Sequence, residues 1–466
     1  MRRRRRRSLP QVLLPVGLAA AATICAVVGL DRPAPPAPAP AAVTAGQPVL
    51  SASRLPDAGA RLAADEQVGL SLDGVLGAPP AAGWQVCAEV DDGGVPVYVH
   101  NGTVALVPAS NLKLLTADAA LARLGPAATF TTTVVAAATP AKGVVDGPLY
   151  LVGGGDPLLA TDGYRPSERA WTESAEPFTR LAALADAVKA AGVSRVGGVV
   201  GDDSRFDGER TVPSWQASYL ADGEVARVGA LEVDGGTVVA GGRRTPAADP
   251  ALSAAGAFAA LLRQRGIAVA GPVAHATAPR GAVTLAAVHS PALTTVIGEM
   301  LRESDNLAAE MVVKALGGGT WAAGIAAVHA TLVSEGIPVA GVVQVDGSGL
   351  DRADRVPCAT VAAVLATGRL EPELPVAARC GTLVGRMVGQ PGAQRVIAKT
   401  GSLTGVVALS GAASATPLPP QPCPPAGASA QPVTFALLMN GTLTTSAGEG
   451  VADRVADVVA TYAGAA

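Results

Sequence analysis

The chain has 466 residues, of which 49% are hydrophobic and 16% are charged, and its formal net charge is -3 at pH 7. This length and this hydrophobic content suffice for two or three domains with hydrophobic cores, and they exclude a disordered chain. The small negative charge excludes a general nucleic-acid binder, because such proteins carry an extended basic surface. The one dense basic cluster is Arg2–Arg7.

The N-terminal segment is predicted to hold the protein at a membrane. Residues 12–30 contain no charged side chain, and nineteen such residues are about as many as a membrane-spanning helix needs. Arginines before such a span keep the N-terminus in the cytoplasm and place the rest of the chain outside. We therefore expect residues 1–30 to be a cytoplasmic arginine run and a retained anchor, with a cleaved signal as the alternative. The Pro- and Ala-rich residues 31–55 are expected to be a linker.

Two strands and a helix are predicted at the start of the folded region. Residues 85–89 and 95–100 are joined by Asp91-Asp-Gly-Gly94, which is a strong hairpin signal. Residues 110–124 carry apolar side chains at helical spacing with few polar interruptions. This pattern predicts a buried helix with Ser110 at its N-terminal end.

Residues 131–289 are predicted to form an inserted accessory domain. They contain short apolar runs separated by glycine-rich turns, with helical periodicity over residues 178–191 and 254–265. This mixture indicates an α+β domain, with a smaller subdomain as an open alternative.

Helices and strands return after the insertion. Helical spacing over residues 293–316 is interrupted at Ser304-Asp-Asn306, which predicts a break between two helices. Three strands are predicted at residues 395–400, 406–410 and 433–439.

A final helix is predicted to begin at Ser446-Ala-Gly-Glu449, which has the capping-box pattern. Residues 56–130 and 290–466 are therefore expected to form one catalytic domain, which the insertion interrupts.

Four cysteines follow the apolar N-terminal segment, namely Cys87, Cys358, Cys380 and Cys423. An even number outside the cytoplasm permits disulfides, and four cysteines allow three pairings. Cys358 with Cys380 is the expected pair because the two are close in sequence; unpaired buried thiols are the alternative. The chain has no CxxC sequence and only four scattered histidines, so we expect no metal site and no cofactor.

Three short motifs stand in a fixed order: Ser110-Asn-Leu-Lys113, Ser304-Asp-Asn306 and Lys399-Thr-Gly401. Each is weak alone, but together they supply a nucleophile, a base, a proton relay and a carboxylate anchor. Only five of the 35 cationic residues are lysines, and two of the five lie in these motifs. A buried lysine can lose its proton and act as a base, whereas arginine stays protonated.

The motifs predict a serine acyl-transfer site. Ser110 is the expected nucleophile and Lys113 its base, with the pKa of Lys113 lowered by the charge of Lys399. Ser304 is expected to pass a proton to the leaving group, and Asn306 to orient Lys113 and the substrate amide.

Lys399 and Thr400 are expected to grip a free carboxylate at the end of a peptide. Gly401 is expected to let the substrate backbone come close, and the backbone N–H groups of Ser110 and Ser402 to form the oxyanion hole. Each motif also has a purely structural alternative: Ser110 could cap a helix, Asn306 could satisfy a turn, and Lys399 could be a solvated charge on an edge strand.

Over about residues 60–460 the chain resembles the class C low-molecular-mass penicillin-binding proteins, the D-alanyl-D-alanine carboxypeptidase/endopeptidases. The resemblance rests on the three motifs, on the long insertion between the first two, and on blocks such as Leu149–Pro157, Asp202–Phe206 and Asp346–Arg352. It implies an α+β fold: a penicillin-binding, serine β-lactamase-like domain, with an antiparallel sheet flanked by helices and a large inserted α+β domain.

The resemblance also implies an acyl-enzyme on Ser110, formed from peptidoglycan stem peptides that end in D-Ala-D-Ala, and inhibition by β-lactam antibiotics. Asp203 and Arg352 match positions that recognise the stem-peptide side chain, with Asp202 and Arg355 as the alternatives. We expect a D,D-carboxypeptidase, with endopeptidase cleavage of cross-links as a further activity to test. The alternatives are a β-lactamase or esterase on the same scaffold, and an inactive wall-binding protein.

Overall fold

The structure is a computed structural model that describes residues 55–164, 177–419 and 433–465. The predicted anchor and nearly all of the predicted linker lie outside these ranges. The chain divides after Gly59, and Ala60–Ala466 form one compact unit. Among the described residues no single helix has the length and hydrophobicity to span a membrane; one bent helix pair, Asn306–Leu316 with Trp321–Ser334, meets both criteria when taken together.

The α-helices of the described ranges are, in chain order, α1 (Leu55–Gly77), α2 (Leu112–Leu124), α3 (Leu181–Ala190), α4 (Ala217–Ala221), α5 (Pro250–Gln264), α6 (Leu293–Arg302), α7 (Asn306–Leu316), α8 (Trp321–Ser334), α9 (Cys358–Leu365) and α10 (Thr445–Ala463). The strands are β1 (Gln85–Asp92), β2 (Val95–His100), β3 (Ala105–Leu106), β4 (Thr131–Ala136), β5 (Val144–Val152), β6 (Leu159–Ala160), β7 (Thr179–Arg180), β8 (Arg195–Asp202), β9 (Thr237–Ala240), β10 (Arg243–Pro246), β11 (Ala268–Val269), β12 (Val273–His275), β13 (Val283–His289), β14 (Val356–Pro357), β15 (Val396–Leu403), β16 (Val406–Ala413) and β17 (Val433–Asn440). Short 3₁₀ turns lie at Ala109–Asn111, Glu371–Glu373 and Gly381–Leu383.

A five-stranded antiparallel sheet in the order β15-β16-β17-β1-β2 joins the two ends of the described chain. Every residue of β16 and β17 is buried, so both faces of the sheet must be covered. Helix α10 covers one face through Val451, Val455 and Val459, and α9 packs on the opposite face. This arrangement confirms the predicted antiparallel sheet flanked by helices.

A second sheet lies within residues 131–289. Its strand order is β11-β8-β5-β4-β13, with β12 also paired to β8. Strands β5 and β8 run parallel, whereas β4 is antiparallel to both of its neighbours. Helices α3 and α5 pack on this sheet around Leu184 and Phe258. The whole sheet thus falls inside the predicted insertion, while the division into domains stays a prediction.

The predicted start of the last helix is wrong by two residues. Thr444 is the N-cap, and its hydroxyl accepts a hydrogen bond from the N–H of Ala447 across 3.2 Å. Threonine and serine both cap helices, so the local pattern does not distinguish Thr444 from Ser446. The helix packs closely on the sheet just after its start, since a Cβ on Gly448 would lie 2.6 Å from the Val407 side chain.

The predicted Cys358–Cys380 bond is also wrong. Cys358 is bonded to Cys87, 271 residues away, with the two Cα atoms 5.8 Å apart. Cys380 is disulfide-bonded too, but not to Cys358. Both Cys87 and Cys358 are buried where the first turn of α9 packs against β1. The topology of the sheet therefore determines the disulfide partner of Cys358, and closeness in sequence does not.

Candidate active site

The three motifs meet in one polar cleft of about 610 Å³. The first motif comes from the turn before α2, the second from the loop between α6 and α7, and the third from β15. The motif residues that line the cleft, with the serine that follows the third motif, are Ser110, Ser304, Asn306, Thr400, Gly401 and Ser402. Side chains that are far apart in sequence are thus brought together as the sequence predicts.

Ser110 lies in the 3₁₀ turn at the N-terminal end of α2. The preceding Ala109 has a left-handed conformation with φ 47°. Gly349 packs directly beneath this turn: its φ is +84°, and a Cβ there would lie 1.9 Å from the carbonyl oxygen of Ala109. Only glycine fits at this position, because any side chain would push the nucleophile's turn out of place.

Lys113 is fully buried one turn beyond Ser110. Its Nζ donates hydrogen bonds to Ser110 Oγ at 3.0 Å, to Asn306 Oδ1 at 2.6 Å and to the carbonyl oxygen of Ser348 at 2.9 Å. Burial lowers the pKa of Lys113 to about 8, against the opposing effect of nearby carboxylates such as Glu310. Burial is therefore the largest cause of the lowered pKa that makes Lys113 a usable base, and the predicted contribution of the Lys399 charge stays a prediction.

Lys399 is also fully buried, which excludes the alternative of a solvated edge-strand charge. Its Nζ donates to Ser304 Oγ at 2.8 Å and to the carbonyl oxygen of Thr400 at 2.7 Å. Ser304 has a left-handed conformation with φ 59°, and Asp305 caps α7 by accepting the N–H of Ala308 at 2.9 Å. The predicted helix break therefore exists, and it holds the Ser304 hydroxyl against Lys399.

Strand β15 is the edge of its sheet and offers backbone groups to the cleft. On its outer side the N–H of Ala398 donates to the carbonyl oxygen of Pro375 at 3.1 Å. Backbone groups alternate in direction along a strand, so Thr400 and Ser402 also turn their N–H groups outward. The outward direction of the Ser402 N–H agrees with the predicted contribution of Ser402 to an oxyanion hole. The oxyanion hole itself stays a prediction.

Gly401 faces the turn that carries the nucleophile, while the predicted approach of the substrate backbone to it stays a prediction. A Cβ on it would lie 3.1 Å from the backbone nitrogen of Ser110, from the carbonyl oxygen of Pro108 and from Asn111 Nδ2. That amide nitrogen donates to the carbonyl oxygen of Lys399 at 3.1 Å. The missing side chain lets β15 pack closely against the turn that carries the nucleophile.

Of the two predicted specificity residues, one lies in the cleft and one does not. Arg352 lines the cleft and donates to the carbonyl oxygen of Thr404 at 2.9 Å. Asp203 is buried in the accessory region, paired with Arg210 at 2.7 Å and with His275 at 3.0 Å. Asp203 is absent from the lining of the cleft, so the structure does not bring it to the motifs.

The alternatives for these two positions, Asp202 and Arg355, do not line the cleft either. The carboxylate of Asp202 accepts the N–H groups of Ser204 at 2.9 Å and Ala278 at 2.7 Å. The guanidinium of Arg355 donates to backbone carbonyl oxygens, including that of Asp354 at 2.7 Å. Of the four named residues, Arg352 is thus the one that lines the cleft.

Sequence reasoning missed the segment of the accessory region that closes the cleft. Tyr219, Asp222 and Glu224 line it, and the carbonyl oxygen of Glu224 accepts a hydrogen bond from Asn306 Nδ2 at 2.7 Å. These residues belong to no recognisable motif. Helical spacing did not mark them either, because α4 has only five residues and none of them is buried.

The loop at Ser348 belongs to the block Asp346–Arg352, and the sequence carries no sign of its contribution to the base. Asp346 Oδ1 accepts the N–H groups of Ser348 at 3.1 Å and Gly349 at 2.7 Å. This network fixes the Ser348 carbonyl that Lys113 uses. Within the part of the chain that the structure describes, no three His, Cys, Asp or Glu side chains are grouped as a metal site requires.

Comparisons with known proteins agree with this geometry. The D-Ala-D-Ala carboxypeptidase 3 (S13) family matches residues 71–247 and 242–462. A D-alanyl-D-alanine carboxypeptidase of Actinomadura sp. (strain R39) is 32% identical over 407 residues, covering 68% of this chain and 72% of its own. Carboxypeptidase Rv3627c of Mycobacterium tuberculosis is 32% identical over 413 residues, covering 82% of this chain and 83% of its own.

The fold has a solved counterpart in penicillin binding protein 4 (dacB) from Haemophilus influenzae. That structure has a TM-score of 0.65 at 22% identity, and the match covers 84% of this chain and 97% of the other. The chain therefore belongs to the D-Ala-D-Ala carboxypeptidase 3 (S13) family of serine peptidases, and it is a low-molecular-mass penicillin-binding protein.

Proposed function

We propose that this protein removes the terminal D-alanine of peptidoglycan stem peptides through an acyl-enzyme on Ser110. The observation that carries the proposal is the fully buried Lys113, whose Nζ lies 3.0 Å from Ser110 Oγ and whose pKa is lowered to about 8. Relatives that are named carboxypeptidases support the same reaction. A nucleophile with an adjacent base of this kind is the requirement for acyl transfer.

Acylation begins when Lys113 takes the proton of Ser110 Oγ and the oxygen attacks the carbonyl carbon of the penultimate D-alanine. The N–H groups of Ser110 and Ser402 stabilise the oxyanion. Ser304, held by Lys399 at 2.8 Å, passes a proton to the amine of the leaving D-alanine and takes up the proton that Lys113 removed from Ser110, so that Lys113 becomes neutral again. Water then hydrolyses the ester, which releases the shortened peptide and restores the Ser110 hydroxyl.

The cleft has a direction along β15. Thr400 and Lys399 take the terminal carboxylate at one end, and Arg352, bonded to the carbonyl oxygen of Thr404, lies toward the acyl part of the substrate. The lining continues beside Thr400 to Thr382 and Arg386. This extra length is the observation that favours endopeptidase cleavage as a second activity, since a cross-link has a larger leaving group than D-alanine.

Two measurements on the purified protein test the proposal. A stem pentapeptide ending in D-Ala-D-Ala is expected to release D-alanine, and penicillin G is expected to add its mass to the protein and remain bound for minutes or longer. A relative from Haemophilus influenzae is described in complex with a β-lactam. Rapid turnover of penicillin would favour the β-lactamase alternative, and absence of both D-alanine and adduct would favour the wall-binding alternative.

We propose further that residues 1–30 anchor the protein so that its catalytic part lies outside the cytoplasmic membrane. The uncharged span after the arginines supports this, and so does the buried Cys87–Cys358 disulfide, because such bonds persist in oxidising compartments. The full chain is expected to sediment with membranes, and a chain that begins at residue 31 is expected not to. A full chain in the soluble fraction with an N-terminus near residue 41 would show a cleaved signal instead.

A further inference from the structure

A second hydroxyl lies beside Thr400 in the cleft. Thr400 Oγ1 donates a hydrogen bond to Thr382 Oγ1 across 2.9 Å, and Thr382 lines the same cleft. Thr382 belongs to the 3₁₀ turn Gly381–Leu383, which lies outside all three motifs. Its side chain thus reaches the residue that is proposed to bind the substrate carboxylate.

The turn that carries Thr382 is held on both sides. Gly381 has φ +57°, and a Cβ there would lie 2.7 Å from the carbonyl oxygen of Arg302, so the turn packs against the end of α6. Leu383 is fully buried, and its carbonyl oxygen accepts the N–H of Ala378 at 3.0 Å. The Thr382 hydroxyl is therefore fixed relative to the cleft.

An isolated hydroxyl does not hold its proton in one direction. A hydroxyl that is hydrogen-bonded to a second hydroxyl can offer its proton in a fixed direction. The pair of Thr382 and Thr400 has two protons, of which one lies between the two oxygens. Hydroxyl hydrogens rotate, so with an acceptor in the cleft Thr382 can donate to Thr400 Oγ1 and the proton of Thr400 becomes available to that acceptor. A carboxylate only accepts hydrogen bonds, so it then meets the hydroxyl of Thr400 in an orientation that the bond with Thr382 sets.

We propose that Thr382 is a positioning residue for the terminal carboxylate of the substrate, and that it acts by orienting the hydroxyl of Thr400. This inference rests on the proposed function, in which Lys399 and Thr400 bind that carboxylate. Thr382 then contributes to binding of substrates and β-lactams that carry a free carboxylate, and it contributes little to the chemistry at Ser110.

The test compares two peptides that differ at one group, a stem peptide ending in D-Ala-D-Ala and the same peptide ending in D-Ala-D-Ala amide. Thr382→Val removes the hydroxyl with little change in shape. It is expected to lower kcat/KM for the acid by about 2- to 10-fold, the range of one net hydrogen bond. The loss is expected in KM rather than in kcat. For the amide, kcat/KM is expected to change less than about 2-fold.

Three further variants complete the test. Thr382→Ser keeps a hydroxyl and is expected to restore the wild-type ratio of acid to amide. Thr382→Ala is expected to lose it as valine does, which covers the case in which valine disturbs the turn. Thr461→Val is the matched control, because its exposed hydroxyl bonds only the helix carbonyl of Asp457 at 2.8 Å, outside the cleft; its ratio is expected to equal that of the wild type.

The outcomes separate this inference from the function on which it rests. A wild-type protein that releases D-alanine, together with an unchanged acid-to-amide ratio in Thr382→Val and Thr382→Ala, would overturn the role of Thr382 alone. Failure of Thr382→Ser to restore the ratio would also overturn it. A wild-type protein that releases no D-alanine would overturn the proposed function and this inference together.

Discussion

Replacing Ser110 with alanine is expected to lower D-alanine release by about 10⁴-fold or more and to abolish the penicillin adduct. Ser110 Oγ is the atom that bonds to the substrate in the proposed reaction, and it is the hydroxyl that Lys113 Nζ contacts at 3.0 Å. Steady-state release of D-alanine and the intact mass after incubation with penicillin G measure the two losses.

The matched control for Ser110→Ala is a serine outside the cleft. Ser334→Ala serves, because that hydroxyl bonds the carbonyl oxygen of Thr331 at 2.8 Å near the end of α8. Its activity is expected to equal that of the wild type. Penicillin adduct formation by Ser110→Ala at the wild-type rate would contradict the assignment of the nucleophile, and the mass of the labelled peptide would then identify the residue that replaces it.

The second large effect is expected at Lys113. Lys113→Arg keeps a positive charge but removes the base, because a guanidinium does not give up its proton. Acylation by penicillin G is expected to slow by about 10²- to 10⁴-fold, the range of general-base catalysis. Lys113→Met, which keeps the apolar part of the side chain, is expected to show a loss of the same order and covers the case in which arginine does not fit the buried position.

The pH dependence of acylation tests the same role. Because burial lowers the pKa of Lys113 from 10.5 to about 8, the lysine is protonated below that pH and becomes a neutral base above it. The wild-type rate is expected to rise with pH and level off above about pH 8, whereas Lys113→Met is expected to lack this rise. The exposed Lys189 gives the control, since Lys189→Arg is expected to keep both the rate and the profile. A rate independent of pH in the wild type would contradict Lys113 as the base.

The few lysines of this chain are mostly buried, and the buried ones include a lysine outside the three motifs. Three of the five lysines, Lys113, Lys314 and Lys399, are fully buried. Lys314 lies in no motif: its Nζ donates to Asp207 at 2.6 Å and stands 4.0 Å above the ring of Trp321. It connects α7 to the accessory region. Lysine scarcity therefore indicated buried cations, and the motif pattern was needed to separate the two catalytic candidates from a structural one.

Local patterns were enough for much of the fold and of the site. The apolar runs of β16 and β17 and the helical spacing of α2 depend on residues that are neighbours in sequence. The break at Ser304 has the same origin, because Asp305 caps α7 from the adjacent position. The contact between Ser110 and Lys113 follows from their spacing on one turn. Such features need no knowledge of the rest of the chain.

The remaining features depended on contacts between distant segments, and the sequence carried no local sign of them. Cys358 is bonded to Cys87 because α9 packs on β1, and Asp203 is held by Arg210 within the accessory region. Gly401 is constrained by the turn of Ser110, and burial lowers the pKa of Lys113. By itself the sequence determined which chemical groups the site contains. Only the tertiary structure decided their partners and their protonation, because desolvation and long-range packing arise only after distant elements have packed together.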